Sequence, residues 1–407
     1  MNRLNITICG CGNGSHACAA LLSRKGHIVN IYSPIEKEIE LFKESYTKNN
    51  GLILKMGPGI MEELNSSTDN MRDVEVFENL KINKITSIAS EVIPESSLIF
   101  IITPSFAHKN ILYSIKDYVS ENSLLVFLPS RGGLEYEAKA IIPQINLVAF
   151  QTLPWACRTK TFGSEIYISG TKRRIQAASL PSNISHMFFY VLEELLELKI
   201  ERIKHITTLT LANLGQVFHP GIMYGSFKYN PNITFDKDNI PLFYQGISEE
   251  TAQLLTDMSF EIQSVAKKLN ESNENIEYTK VLHIKDWLLS SYEGLIDDTY
   301  SLHKIITTNA AYKGIRVPVK KVDENLFSPD FGSRYIVEDV PYGLLVTKSI
   351  AMMVNIDTPV IDEVIISLGK WTGNDYMDNL KKLLEFASHS RMPQFYGVHY
   401  NSDYIKY

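Results

Sequence analysis

Three stretches of this chain carry residue types that can cradle a phosphate, move a proton or hold a carboxylate. Gly10-Cys11-Gly12-Asn13-Gly14-Ser15-His16 follows an apolar run at 4–9 and opens into the small, apolar residues 17–22. A glycine turn between a strand and a helix lets a pyrophosphate approach the backbone, and the free N–H groups of the helix start then face the anion. Gly10 allows the turn and Gly12 the approach. Ser15 takes the third glycine position and is still small enough to pack against the strand. Such patterns recur by chance, but a second strand at 27–32 arrives where a βαβ unit needs it. Farther on, Asn213-Leu214-Gly215-Gln216-Val217-Phe218-His219-Pro220-Gly221 places an imidazole one turn after a glycine. Histidine can exchange a proton with a carbonyl or amine near neutral pH. A histidine that merely closes a helix, where Pro220 and Gly221 interrupt the ladder, accounts for the same residues. The third stretch is Ser333-Arg334-Tyr335-Ile336-Val337-Glu338-Asp339-Val340-Pro341-Tyr342-Gly343-Leu344. Arg334 offers a planar fork to a carboxylate, and Asp339 could take the second imidazole N–H of His219 and fix its tautomer. A local salt bridge fits equally well, and spacing does not show that residues 219 and 339 meet.

The elements that must position these groups fall into two textures. Up to about residue 200, strand-like and helix-like pieces alternate. A charged amphipathic helix spans 36–48, strand character returns at 74–85, and apolar strands follow at 96–102, 123–128, 146–151 and 165–169. The near-continuous apolar runs at 96–102 and 123–128 predict strands buried on both faces, as in a doubly wound, mainly parallel sheet. They end in Thr103-Pro104-Ser105 and Pro129-Ser130-Arg131-Gly132-Gly133, and ligands of open α/β sheets bind beyond such strand ends. From about His205, long apolar-periodic stretches at 206–218, 249–269, 281–295 and 363–386 predict an all-helical second domain. The polar residues 270–275 predict a turn between two of its helices. A dinucleotide domain followed by a helical one predicts a substrate cleft between them.

With 407 residues, 44% hydrophobic and 21% charged, the chain reads as two soluble globular domains. A net charge of −6 excludes a broad nucleic-acid or anionic-lipid surface, and Lys172-Arg173-Arg174 is expected to be a solvated loop end. No apolar run reaches the roughly 18 residues of a membrane span. The first apolar stretch is cut by the glycine turn, which argues against a signal peptide. Four cysteines make neither a disulfide framework nor a metal site, so free thiols, no metal and a cytoplasmic location are expected.

These stretches, with Leu153-Pro154-Trp155-Ala156-Cys157-Arg158 and Thr308-Asn309-Ala310-Ala311-Tyr312-Lys313-Gly314, occur in an order that resembles the opine dehydrogenases, the octopine/nopaline dehydrogenase family. The resemblance runs from the glycine turn to Asp357-Thr358-Pro359 and weakens at 50–90 and in the last 20 residues. It implies a Rossmann-type α/β domain over 1–203 and an all-α domain of the 6-phosphogluconate dehydrogenase C-terminal-like type over 204–407. It implies NAD(P)H-dependent reductive condensation of an amino acid with a 2-oxo acid, often pyruvate, through an imine to an N-(1-carboxyalkyl) amino acid. His219 would be the acid/base and Asp339 its partner. Arg334 would hold a substrate carboxylate, with Cys157 and Asn213 near the substrate. Gly10, Gly12, Asn13 and Gly14 would receive the pyrophosphate, with Ser33, Thr103 and Pro104 lining the cofactor.

Two departures stand out. The second strand ends in Tyr32-Ser33-Pro34, without the acid that would bind a ribose 2′-OH. This tilts the reading slightly toward NADP(H), with Arg24 or Lys37 near a 2′-phosphate, although Glu36 could still reach the ribose and NAD(H) stays open. Arg131 stands where smaller or neutral residues are expected. It is read as exposed, and it would favour a more anionic substrate if it faced the site. Alternatives are a 2-oxo acid or ketone reductase of the ketopantoate-reductase-like type, for which no matching lysine is evident, and a non-catalytic dinucleotide sensor. Partners are then small-molecule substrates, with no nucleic acid and no membrane. The assembly is left open, a homodimer being one option.

Overall fold

The structure is a computed structural model, and it describes residues 3–57, 74–374, 376 and 390–398. The chain divides into two compact units: Met1–Ser130 with Leu134–Ile206, and Arg131–Gly133 with Thr207–Lys406. The tripeptide Arg131–Gly133 therefore belongs with the second unit, although the residues on either side of it belong to the first.

The first unit opens with β1 (Asn5–Cys9), α1 (Asn13–Arg24), β2 (Ile28–Tyr32), α2 (Glu36–Lys48), β3 (Leu52–Met56), β4 (Glu75–Leu80) and β5 (Lys84–Thr86). It continues through β6 (Leu98–Ile101), α3 (Ser105–Ile115), β7 (Leu124–Phe127), α4 (Leu134–Ile141) and β8 (Leu147–Phe150). It closes with β9 (Trp155–Thr161), β10 (Glu165–Thr171), β11 (Arg174–Leu180), α5 (His186–Leu196) and β12 (Lys199–Arg202). Eight strands form one sheet in the order β12-β11-β8-β7-β6-β1-β2-β5, parallel except where β11 runs against β8. Every residue of β6, β7 and β8 is buried, which is why they read as unbroken apolar runs.

A second sheet, β4-β3-β10-β9, was not legible beforehand. It packs on α1, whose residues Gly14 to Leu22 are all buried. Sheet contacts on two sides explain the choice of Ala17, Ala19 and Ala20, since bulkier side chains would hold the layers apart. The expectation that Lys172-Arg173-Arg174 is solvated fails at its first residue. The Lys172 ammonium donates to Thr152 Oγ1 at 2.9 Å, and burial pushes its pKa down to about 8.

The second unit contains α6 (Ile206–Leu211), α7 (Gly215–Phe227), β13 (Phe235–Asp236), α8 (Glu249–Ser272), α9 (Ile284–Ser291) and α10 (Leu302–Thr307). These are followed by β14 (Val319–Lys321), β15 (Leu326–Pro329), α11 (Arg334–Val337), α12 (Leu345–Met353) and α13 (Pro359–Thr372). Helices dominate, joined by a small sheet, β13-β15-β14, whose short strands carry no clear alternation. The apolar stretch at 206–218 is two helices, broken at 212–214. The stretch at 281–295 is helical only in α9, and α8 runs through the first half of the polar stretch at 270–275. The stretch at 363–386 begins earlier, at Pro359, and α13 stops at Gly373 in the left-handed region (φ 71°); most of its remainder lies outside the described residues. Gly221 and Gly225, one turn apart on α7, let α8 come close. A Cβ at Gly221 would sit 2.5 Å from Leu255 Cδ2, and one at Gly225 2.7 Å from Thr251 Oγ1.

Gly10 sets the exit from β1. Its φ is +122°, and a Cβ there would lie 2.6 Å from the Ile102 carbonyl oxygen. Gly10→Ala combines a disfavoured backbone with a clash against main chain, and it should cost ~2 kcal/mol or more of stability in urea titrations.

Candidate active site

His219 is positioned by α7, which starts afresh after the break at 212–214. The Gly215 N–H donates to Asn213 Oδ1 (3.1 Å), turning the chain into the helix. Contrary to the helix-closing reading, α7 continues through Pro220 to Phe227. Pro220 has no N–H for the carbonyl of Gln216, four residues before it, so one rung is missing beside His219.

Asp339 reaches the same place from α11 and the π-helical turn Val340–Leu344 that follows it. This turn docks on α7 at Gly343, where a Cβ would come within 2.7 Å of Gln216 Cβ. His219 Nδ1 and Asp339 Oδ2 are 2.7 Å apart across 120 positions of sequence. Asp339 is buried, and burial works to raise its pKa. The Arg131 guanidinium, the His219 hydrogen bond and charge, and Arg334 outweigh that and hold the carboxyl below its usual range.

The other imidazole nitrogen, Nε2, is 3.3 Å from the Tyr244 hydroxyl. Burial, with Tyr335, Tyr292 and Asp339 nearby, pushes the Tyr244 phenol far upward, so it stays an O–H. In the neutral ring, Nδ1–H then donates to Asp339 while Nε2 accepts from Tyr244. Tyr335 stacks on the ring, with centroids 4.0 Å apart and planes 7° apart.

The expectation of an exposed Arg131 is overturned: its side chain is only 16% exposed. Nη1 donates to Asn213 Oδ1 at 2.9 Å, Nη2 lies 3.5 Å from Asp339 Oδ1, and Nε lies 3.9 Å from Glu338 Oε1. A guanidinium can occupy this buried spot because two carboxylates and an amide oxygen surround it. Arg334 is 61% exposed and turns Nε and Nη2 onto Glu338 Oε2, with Nε at 2.9 Å. One edge of its fork is engaged within the protein. Asn213 commits its oxygen to Arg131 and Gly215, while its buried Nδ2 has no hydrogen-bond partner among the described residues.

The remaining predicted residues lie in the first unit. Gly12, Asn13 and Gly14 begin α1, which has no side-chain N-cap. A Cβ on Gly12 would meet no described residue within 4 Å, so among the described residues open space adjoins the N–H groups of the first turn. At the end of β6, Thr103 leans on Gly10, and its buried Oγ1 has no hydrogen-bond partner among the described residues. Pro104 starts α3. These features suit a dinucleotide pyrophosphate and its flanks.

Asn13 does not present its side-chain oxygen to a ligand, because Oδ1 accepts from the Thr159 N–H of β9 (3.0 Å). Ser33 is likewise engaged, donating to Glu38 Oε2 at 2.8 Å. Arg24 is drawn away from a 2′-phosphate role by Glu197 (3.2 Å) and the Phe77 ring. Cys157 sits on β9, and burial raises its thiol to about 11, so it is no nucleophile. All four cysteines are free.

Several groups escaped the sequence reading. His16 is fully buried, with Nδ1 2.9 Å from the Gly12 carbonyl and Nε2 accepting from the Gly163 N–H at 2.8 Å. Burial lowers its pKa and keeps it neutral, so it braces the glycine turn. Its four-residue spacing from Gly12 was the available signal. Tyr335 and Glu338 stood in the same motif as Arg334, and the local salt bridge weighed there is the one Glu338 makes four residues on, whereas nothing local pointed to Tyr244.

Known proteins match this chain in sequence and fold along nearly its whole length. Residues 202–371 match the family model described as NAD/NADP octopine/nopaline dehydrogenase, alpha-helical domain. An opine dehydrogenase of Haliotis discus hannai is 30% identical over 97% of both chains. An octopine dehydrogenase of Mizuhopecten yessoensis is 31% identical over 97% of this chain and 96% of its own. Structures of octopine dehydrogenase with NADH and L-arginine, and with NADH and pyruvate, align with TM-scores of 0.87 and 0.83. Their identities are 28% and 27%, over 98% of this chain and 97% and 96% of theirs. The fold is that of a two-unit NAD(P)-dependent oxidoreductase. Within that class the chain belongs to the opine dehydrogenase family, whose members join an amino group to a 2-oxo acid by reduction.

Asp339→Asn should lower turnover roughly 10²–10⁴-fold, because an amide can turn its NH2 to Nδ1, fix the other tautomer and supply no charge to balance a protonated ring. The depressed carboxyl contributes stability that is present above its unfolded value and is lost as pH falls through the folded one. The stability gap between wild type and Asp339→Asn should therefore narrow on acidification below the carboxylate's ordinary value of 3.8, read by thermal melts.

Proposed function

We propose that this enzyme condenses the amino group of an L-amino acid with a short 2-oxo acid such as pyruvate and reduces the resulting imine at His219. The observation that carries this is the 2.7 Å His219–Asp339 pair, with Arg334 one helical turn from Glu338. Attack of the amine on the carbonyl gives a carbinolamine. Starting from the ammonium form, two protons pass from nitrogen to the carbonyl oxygen through His219 Nε2, the first making the carbinolamine hydroxyl and the second carrying it off as water, which leaves an iminium carbon. Asp339 holds the ring through Nδ1–H and balances its charge while the proton is on it. The exposed edge of Arg334 receives a substrate carboxylate, and Asn213 Nδ2 offers a further donor. When bound, the nicotinamide supplies the hydride that converts the imine carbon to the new N-substituted centre. Gly10, Gly12, Gly14 and the start of α1 would hold its pyrophosphate, with Thr103 and Pro104 beside it.

Cofactor choice follows from charge. A carboxylate returns to the end of β2 from α2: Glu38 hydrogen-bonds Ser33, and it also acts with burial to push the Cys11 thiol up to about 12. A 2′-phosphate at this end of the sheet would meet that negative charge. The reading is therefore NADH over NADPH. The free thiols fit a reducing, cytoplasmic setting, and among the described residues no helix is long and apolar enough to cross a membrane.

A matrix of L-amino acids and 2-oxo acids, followed by loss of reduced nicotinamide, should show oxidation only with both substrates present. Oxidation with the oxo acid alone would instead favour simple carbonyl reduction. Glu38→Gln should narrow the NADH-over-NADPH preference roughly tenfold, a change of ~1.4 kcal/mol, in cofactor-binding titrations by fluorescence.

A further inference from the structure

We infer that Arg131 is a positioning residue of the catalytic pair, clamping the Asp339 carboxylate from the side opposite His219. The two oxygens of Asp339 are divided: Oδ2 is 2.7 Å from His219 Nδ1, and Oδ1 faces Arg131 Nη2 at 3.5 Å. Among the described residues, Asp339 Oδ1 makes no hydrogen bond, so Arg131 is its electrostatic counterpart. Asn213 Oδ1 fixes the guanidinium by accepting from Nη1. Gly215 makes room for this arrangement. A Cβ there would lie 3.1 Å from Arg131 Nη1, 3.2 Å from Asn213 Oδ1 and 3.3 Å from Asp339 Oδ1.

The backbone of Arg131 is held as firmly. The Gly132 N–H donates to the Tyr342 carbonyl at 2.9 Å, tying the tripeptide to the turn that carries Asp339. A Cβ at Gly132 would crowd that same carbonyl at 2.9 Å and Thr210 Cγ2 at 3.0 Å. The charged and titratable groups facing Asp339 are thus Arg131 from the tripeptide, His219 from α7, Arg334 from α11 and, through its phenol, Tyr244. Glu338 balances both arginines. With His219 as the first support of Asp339, Arg131 is the second. It keeps a fully enclosed carboxylate ionised and stops it from rotating away from the ring.

This inference rests on the reading of His219–Asp339 as the acid/base pair, and the test separates the two. In Arg131→Met, the acid limb of the kcat/KM profile should move up by about one pH unit, because Asp339 loses a cation and protonates more easily. At neutral pH kcat should fall roughly tenfold with KM for both substrates and NADH affinity kept within about twofold, and Arg131→Lys should restore part of kcat. The Asp339 carboxyl carbon, assigned by comparison with Asp339→Asn and titrated by NMR without substrate, should shift its midpoint the same way. That measurement does not depend on the assigned reaction. A raised KM with an unmoved profile would make Arg131 a substrate-carboxylate binder and overturn the inference. A lowered melting temperature with both the profile and the Asp339 midpoint unmoved would reduce it to a packing residue and overturn it equally. Failure of wild type to condense any substrate pair would refute the proposed reaction while leaving the NMR result to decide the role of Arg131.

Discussion

A carboxylate enclosed in protein is the constraint from which the second unit is organised. Removing such a charge from water costs several kcal/mol, and it is tolerable only when cations and donors surround it. Asp339 has an imidazole on one oxygen and a guanidinium facing the other. Meeting that demand draws together α7, the segment from α11 through the π-helical turn, and the tripeptide at 131–133. The glycines at 132, 215 and 343 are where these segments approach too closely for a side chain. The missing rung at Pro220 and the wide turn after Asp339 are departures from regular helix at one place, as is usual where chemistry is built into a helix.

The first unit solves a different problem, holding a tight glycine turn in place while burying the helix behind it. His16 does this from inside, bonding the Gly12 carbonyl on one side and the Gly163 amide on the other, with Phe42 and Phe162 against its ring. Asn13 adds a tie to β9. The second sheet therefore braces the turn as well as covering α1.

What could be read from the chain follows the range of the forces involved. The strands with unbroken apolar runs, the glycine turn and the helix at 36–48 were legible because local pattern and burial agree there. The second sheet was not, since the pairing that joins its two halves, β10 with β3, spans more than a hundred positions of sequence. His219, Asp339 and Arg334 could be picked out by type and spacing, and the meeting of 219 with 339 needed the fold. Arg131 was misread because a charged residue after a strand is ordinarily solvated; only the two acids waiting at 338 and 339 reverse that. Glu38 was missed because Glu36, nearer the strand end, was read as the acid within reach, whereas the carboxylate that comes back to Ser33 lies two residues farther along the helix.

The division of the chain has a bearing on how this enzyme can be cut or recombined. The boundary near residue 206 looks like a clean seam, yet the second unit borrows three residues encoded more than seventy positions earlier. A fragment starting at the seam would fold, if it folds, around a carboxylate short of one countercharge. A chimera that exchanged only the downstream half would inherit whichever side chain the donor of the upstream half carries at 131. Swapped halves must therefore be matched at that tripeptide, and drift at 131 in one lineage is answerable to residues 213, 338 and 339.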